Sequence, residues 1–337
     1  MATTDKAPGD QLGVGIIGLG SIGTTHMTAV GAVDGLELRG TVGGSGVDQV
    51  RSYDDVAGLL ADDSIQVVGI CSPSGLHAEH AIAALEAGKH VLVEKPVATS
   101  VADARRLVEV AERAGTVAGV VSQRRLESQH VHLKQAIDAG QFGNPVLGEA
   151  LIRWHRDADY YNHAAWRRAA PGGGSLMNQG LHSVDLLRWL FGEVADVQAQ
   201  TATLVADMEA EDTTVAAIRF ASGALGAIVT STATKPGLPA ELNLYFSEGA
   251  VGIHHTEVVR WTGAAEPPPA ASRVESGASS PIIDAEGHIT QWQDLLHAIN
   301  DGSQPMVTLA DGAATVALIE AVYTSARTGA RVTPERI

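Results

Sequence analysis

The sequence predicts an α/β chain in two parts, a parallel sheet flanked by helices and then a half built on an antiparallel sheet. Three observations predict it. Short apolar runs alternate with helix-spaced segments as far as residue 123. Beyond that point longer strand-like runs are joined by tight turns such as "ASGA" and "SEGA". The length, 337 residues, exceeds what one ordinary core organises.

In chain order, "LGVGIIGLG" is a short strand entering a glycine turn, and "SIGTTHMTAVGAV" continues as a helix. "LELRGTV" is the second strand, "DDVAGLLADD" a helix with apolar residues at helical spacing, and "IQVVGICS" a strand buried on both faces. "LHAEHAIAALEAG" is an amphipathic helix stopped by Gly88. "HVLVEK" is the next strand. Ser100 caps the helix "SVADARRLVEVAERAG", with Asp103 three residues on, and "TVAGVVS" closes the unit. The second half opens on the helix "HVHLKQAIDAG" and continues with strands in "PVLGEALIRWH", "VADVQAQTATL", "DTTVAAIRFASGALGAIVTST" and "AELNLYFSEGAVGIHH". Residues 262–280, rich in Pro, Ala and Ser, read as an irregular excursion, and two helices end the chain. The domain boundaries that follow are a flexible tail over 1–10, a first domain over 11–123 and a second over 124–337.

A net charge of −16 argues against nucleic acid or an anionic membrane as partner. The one cysteine, Cys71, excludes an intrachain disulfide and fits a reducing compartment. The start is polar, and no run reaches the roughly 18 apolar residues of a spanning helix, so a cytoplasmic protein is expected.

"GLGSIG" matches G-x-G-x-x-G in the context that gives the pattern meaning, a strand before it and a helix after it. Gly18 permits the turn, Gly20 lets the backbone approach a pyrophosphate, and Gly23 allows helix and strand to pack closely. Ser21 and Ile22 offer helix N-terminal N–H groups to phosphate. This is the fingerprint of a Rossmann dinucleotide-binding domain. The acid expected at the end of the second strand is missing; Gly43, Gly44 and Ser45 stand there, with Arg51 the nearest basic residue. Either NAD or NADP fits.

In "HVLVEKP" a lysine sits between a carboxylate and a proline at a strand end, the sheet edge where ligands bind. Partial desolvation and a nearby nicotinamide cation would lower the pKa of Lys95 towards that of a general acid/base. The plain alternative is pairing with Glu94 or a phosphate. In "PGGGSLMNQGLHSVDLLRWLFG", Asn178, His182 and Asp185 recur at i, i+4 and i+7 and would share one helix face opposite Leu181, Val184, Leu187 and Leu190.

Together, GLGSIG, "CSPSGLHAEHAIAALEAGKHVLVEKPVA", "GGGSLMNQGLHSVDLLRWL" and the closing helices resemble the Gfo/Idh/MocA oxidoreductases over nearly the whole chain. The resemblance implies a Rossmann domain followed by an α/β domain with an open, mostly antiparallel sheet. It also implies hydride exchange between a nicotinamide and a secondary carbinol of a sugar, sugar acid or cyclitol. Lys95 matches the family lysine that touches the reacting hydroxyl and the cofactor ribose, and His182 the histidine that shuttles its proton. Asn178 falls where inositol dehydrogenase-like members have Asp; an amide takes no proton, so it orients substrate or His182, with Asp185 as a tuning neighbour. Ser72, Pro73, Ser74 and His77 match the segment on the nicotinamide side, with Glu94, Gly43 and Ser45 completing the expected cofactor contacts.

"RWHRDADYYNHAAWRR" suits a polyol: Trp154, Tyr161 and Trp166 to stack on a sugar face, Arg153, Arg156 and Arg167 to hold a carboxylate or phosphate. Arg124 joins this substrate set. The alternative is a strand edge with solvated arginines. "HAEH" and "HH" complete no metal ligand set, so no metal is expected. Competing functions are an NAD-dependent glycoside hydrolase using transient oxidation and a non-catalytic nucleotide or sugar sensor. An exposed antiparallel sheet face favours a homo-oligomer.

Overall fold

The structure, a computed structural model, describes residues 11–44, 49–264, 266–268 and 285–337. The expected tail over 1–10, Ser45 and most of the Pro/Ala/Ser-rich excursion lie outside the described residues. The chain divides into two compact units, one of residues 1–98, 102–123 and 283–311, the other of 99–101, 124–282 and 312–337.

In the first unit, β1 (Leu12–Ile17), β2 (Leu36–Val42), β3 (Arg51–Tyr53), β4 (Val67–Ile70), β5 (His90–Val93) and β6 (Ala118–Val120) form one sheet in the order 3-2-1-4-5-6. Every pairing is parallel. β4 reads Val-Val-Gly-Ile with all four residues buried, as a central strand covered on both faces must be. The connecting helices are α1 (Ser21–Gly31), α2 (Val56–Leu60), α3 (His77–Glu86) and α4 (Val101–Ala114). Among the described residues no helix separates β2 from β3. The strand order reverses at β1 and β4, which places a crevice beyond their carboxyl ends.

The second unit holds α5 (Ser128–Asp138), β7 (Pro145–Arg153), α6 (Ala158–Asn162), α7 (Leu181–Phe191), β8 (Val194–Ala202), β9 (Thr213–Phe220), β10 (Leu225–Ser231), β11 (Glu241–Phe246), β12 (Ala250–His254) and β13 (Glu257–Thr262). The strands are ordered 13-12-11-7-10-9-8, antiparallel except for the β7–β10 pair. β9 alternates buried and exposed residues, so one face packs into the core. The other face is open, with Val215 52% and Leu225 58% exposed. Edge strand β13 is mostly exposed and carries Glu257 and Arg260, so it lacks the apolar alternation that marks its neighbours.

The chain then returns. Helix α8 (Glu286–Asp301) belongs to the first unit, and α9 (Leu309–Thr328) belongs to the second from residue 312 onward. The expected second domain over 124–337 is therefore corrected: residues 283–311 close the first unit. Trp292, Leu295 and Ala298 form the buried stripe of α8, and Trp292 is completely buried among Val14, Ile16, Val67 and Leu92. Gly69 on β4 is where the indole lies against the sheet; a Cβ there would stand 3.1 Å from the ring. Burying such a side chain contributes at most roughly 4–6 kcal/mol. Among the described residues no helix is long and apolar enough to cross a membrane.

Candidate functional site

The glycine turn lies at the carboxyl end of β1. Gly18 has φ +100°, and a Cβ there would stand 2.5 Å from the carbonyl oxygen of Cys71. A Cβ on Gly23 would stand 2.0 Å from the Gly18 carbonyl oxygen, so these two glycines are demanded by the turn itself. Gly20 differs: nothing lies within 4 Å of its Cβ position, and as N-cap of α1 it provides no side-chain cap. The N–H groups at Ser21 and Ile22 thus open α1 beside free space, an arrangement that fits a pyrophosphate. The positive φ of Gly43 sets the loop after β2 against the turn, its Cβ position 3.9 Å from the Gly18 Cα. Arg51 is engaged by Asp62 at 3.0 Å and lies over the Tyr53 ring.

Lys95 follows β5 at the same carboxyl edge, half-exposed, two strands from the glycine turn and so about 10 Å across the sheet. Glu94 turns the other way. Its carboxylate is buried, one oxygen accepting from His26 Nε2 at 3.0 Å with His288 Nε2 at 3.5 Å, the other accepting from the Lys95 backbone N–H at 3.0 Å. Burial alone would raise its pKa; the hydrogen bonds and charges from His26 and His288 outweigh that and hold it well below the usual carboxylate range. Trp292 Nε1 donates to His26 Nδ1 at 2.9 Å. An indole only donates, so His26 carries its proton on Nε2 and presents it to Glu94. Burial, the largest influence, keeps the pKa of His26 below its ordinary value.

His26, Glu94 and His288 have ligand atoms within 4.8 Å of one another. Both His26 nitrogens are spent on Trp292 and Glu94, so the cluster is a hydrogen-bonded support beneath Lys95 rather than a set of free lone pairs. His77 is a second support. It is buried, with Nδ1 2.7 Å from the Pro96 carbonyl and Nε2 2.7 Å from the Ser72 carbonyl. Burial, against those two carbonyls, lowers its pKa. The expected ligand contacts of His77 and Glu94 are therefore corrected, because neither side chain has an atom left for a cofactor. Ser72 is also inward, its hydroxyl on His80 Nδ1 at 3.0 Å, whereas Pro73 is exposed and Ser74 half-exposed.

In the second unit the glycine-rich loop is anchored by Glu211, which accepts from the Leu176 N–H at 2.7 Å and the Ser175 hydroxyl at 3.2 Å. A Cβ at Gly174 would stand 2.4 Å from that carboxylate. Burial raises the pKa of Glu211 despite these bonds. Ser175–Gly180 forms a π-helical turn before α7, so the α-helical spacing from Asn178 to His182 does not carry through. Asn178 and His182 are half-buried. Asp185 is buried in a bidentate pair with Arg125 at 2.6 and 2.8 Å and accepts from Thr315 at 2.8 Å.

The arginines separate into two kinds. Arg153 is paired with Glu241, and Arg124 donates to the His255 carbonyl. Arg156 and Arg167 instead enter a ladder of rings and cations. His255 stacks on Trp154 at 6.3 Å, and the Arg156 guanidinium lies 4.9 Å from the Trp154 ring and 5.2 Å from the Tyr160 ring. Arg167 lies 4.2 Å from the Tyr160 ring and 5.7 Å from the exposed ring of Trp166. Tyr161, expected to stack on substrate, is buried with its hydroxyl on Thr232. Tyr160 instead stands in the ladder, and its hydroxyl accepts from Gln179 at 2.7 Å and Asn178 at 3.2 Å. The sequence missed Tyr160 and Gln179. The adjacent tyrosines Tyr160 and Tyr161 were the available signal, but a five-residue helix gives too little pattern to say which one turns inward.

Comparison with known proteins gives a consistent result. Residues 12–122 match the family described as "Oxidoreductase family, NAD-binding Rossmann fold", and residues 130–252 match the "GFO/IDH/MocA C-terminal domain". The chain is 30% identical to myo-inositol 2-dehydrogenase of Thermotoga maritima over 73% of its own length and 77% of the relative's. It is 28% identical to inositol 2-dehydrogenase of Rubrobacter xylanophilus over 96% and 94%. Among solved structures, the WlbA dehydrogenase from Bordetella pertussis in complex with NADH and UDP-GlcNAcA superposes with a TM-score of 0.85 at 30% identity, covering 97% of this chain and 100% of that one.

Proposed function

Because the chain belongs to the Gfo/Idh/MocA oxidoreductase family, whose first domain binds NAD, we propose that it transfers a hydride between NAD and a secondary carbinol or ketone of a sugar, sugar acid or cyclitol. The observation that carries this reading is the placement of Lys95. It stands at the carboxyl edge of the 3-2-1-4-5-6 sheet, with Gly20 and the N-terminus of α1 at that same edge. The relatives support the substrate class: an inositol dehydrogenase and a dehydrogenase bound to a nucleotide-sugar acid.

Bound NAD supplies the hydride acceptor for the carbinol carbon. The chain supplies the rest. The Lys95 ammonium hydrogen-bonds the carbinol oxygen and stabilises the charge that grows there as the C–H bond breaks. His182 takes the hydroxyl proton and passes it to solvent, and in the reverse direction returns it. Asn178 has no proton to exchange; its amide holds the Tyr160 hydroxyl and orients substrate. Ser21 and Ile22 hold the pyrophosphate through backbone N–H groups, and the turn bearing Pro73 and Ser74 lines the nicotinamide side.

The test is a panel of sugars, cyclitols and uronic acids followed by nicotinamide absorbance and, separately, by NAD binding. Lys95→Ala and His182→Ala should each lower kcat by about 10²–10⁴-fold while NAD still binds. Turnover unaffected by Lys95→Ala defeats the proposal. Release of an aryl leaving group from a glycoside without net NADH points instead to the hydrolase chemistry.

A further inference from the structure

From the unpaired charge in the second unit we propose that the chain holds an anionic group of its sugar substrate, a carboxylate or phosphate, between Arg156 and Arg167. This rests on the hydride-transfer reading for the identity of the substrate as a sugar, but its geometry stands alone.

Arg156 is buried to 8% exposure, yet its guanidinium donates only to neutral oxygens: Gln179 Oε1 at 3.0 Å and the carbonyl of His155 at 3.3 Å. Arg167 donates to the Tyr160 carbonyl at 2.7 Å. Among the described residues neither has a carboxylate partner, in contrast to Arg153 with Glu241 and Arg125 with Asp185. The neighbouring acid, Asp157, spends its side chain capping the Tyr160 N–H at 2.9 Å. Both guanidinium carbons lie within 5.2 Å of the Tyr160 ring centroid, so two positive charges stand within about 10 Å of each other. Burial and the charge of Arg167 both act to lower the pKa of Arg156, but a guanidinium stays protonated at neutral pH. The fold therefore holds two like charges around one ring and supplies only π-faces and neutral acceptors in return.

Such a cluster is costly by itself and favourable once an anion neutralises it. The Nε groups of both arginines have no acceptor, so each fork has a donor to offer. Gln179 fixes the arrangement. Its oxygen accepts from Arg156, so its amide nitrogen must donate to the Tyr160 hydroxyl, which also accepts from Asn178. The phenol proton is then available for a further acceptor. Asn178 connects the cluster to the turn that precedes His182, which is why the anion belongs to the substrate rather than to a remote effector. The half-exposed Arg167 and the exposed Trp166 give the entry side.

The experiment uses the full chain and tryptophan emission, since Trp154 and Trp166 flank the two guanidinium groups. D-Glucuronate, D-glucose 6-phosphate and D-glucose are titrated into wild type, Arg156→Gln, Arg167→Gln and the exposed charge control Arg260→Gln. Acidic probes should bind wild type at least about tenfold more tightly than glucose, and either arginine variant should remove that preference while glucose binding and the control stay unchanged. Preference for glucuronate alone assigns a carboxylate, and preference for the phosphate ester alone assigns a phosphate. If Arg156→Gln does not fold, the half-exposed Arg167→Gln decides. Equal binding of acidic and neutral probes to wild type, or equal losses for both in the variants, overturns the proposal. Arginine-dependent binding of acids with no NADH formed from any sugar would leave the subsite standing and remove the hydride-transfer reading; turnover of neutral and acidic sugars alike would do the reverse.

Discussion

Glu94→Gln is the sharpest probe of the support beneath Lys95, because it changes one acceptor to a donor without changing size. The native carboxylate takes protons from two fixed donors, His26 Nε2–H and the Lys95 backbone N–H, on its two oxygens. His26 cannot turn its tautomer round, since its Nδ1 is held by the Trp292 indole. A glutamine has one oxygen, so in either orientation at least one buried N–H faces an amide NH₂. That costs about 1–3 kcal/mol. Relief of the buried charge works in the opposite direction. The pKa of Glu94 lies well below the ordinary range, so the fold prefers the ionised form over the neutral one and the loss should prevail. In a thermal melt the first unit should unfold about 4–8 °C earlier. Activity measured below that transition should fall in kcat, because the backbone N–H that Glu94 holds is that of Lys95. A variant melting at or above wild type refutes the reasoning and shows that burying the carboxylate was a net cost.

Two further outcomes follow from the same unit. His26 and His77 have pKa values lowered by burial, so below about pH 6.5 the unfolded chain binds protons that the folded chain refuses. Their contribution is full above that pH and is lost as pH falls towards their folded values, at about 1.4 kcal/mol per pH unit for each; urea midpoints between about pH 7.5 and 5.5 should decline, less steeply in His26→Gln, and a flat profile contradicts this. The glycines should also separate. Gly20→Ala, with open space around its Cβ, should melt like wild type but bind NAD about tenfold more weakly, whereas Gly23→Ala, with a carbonyl 2.0 Å from its Cβ, should lose stability first.

Much of the fold was legible because its signals are local. Val67–Ile70 is an apolar, fully buried strand, Gly88 with φ +73° ends α3 as a helix-stop glycine should, and the strand-glycine-helix grammar at Gly18 names its own topology. The assignment of residues 283–311 to the second domain was misjudged for a different reason. The apolar stripe of α8 says that the helix packs, but periodicity carries no information about which core receives it. Long-range pairings such as Trp292 with His26, 266 residues apart, and His288 with Glu94 settle that.

The site divides along the same line. Residue types that chemistry requires, a lysine before a proline or a histidine after triple glycine, are visible in one dimension. Which polar groups remain available is not, because that depends on distant partners. Glu94, His77 and Asp185 looked as available as Lys95 until His26, the Pro96 and Ser72 carbonyls, and Arg125 were found to occupy them. The arginines show the converse. Arg153 and Arg156, three residues apart in one motif, looked equivalent, yet Glu241 lies 88 residues downstream and neutralises the first alone. A sequence can therefore nominate charged residues, but it takes the tertiary pairing to show which charge is left over for a ligand.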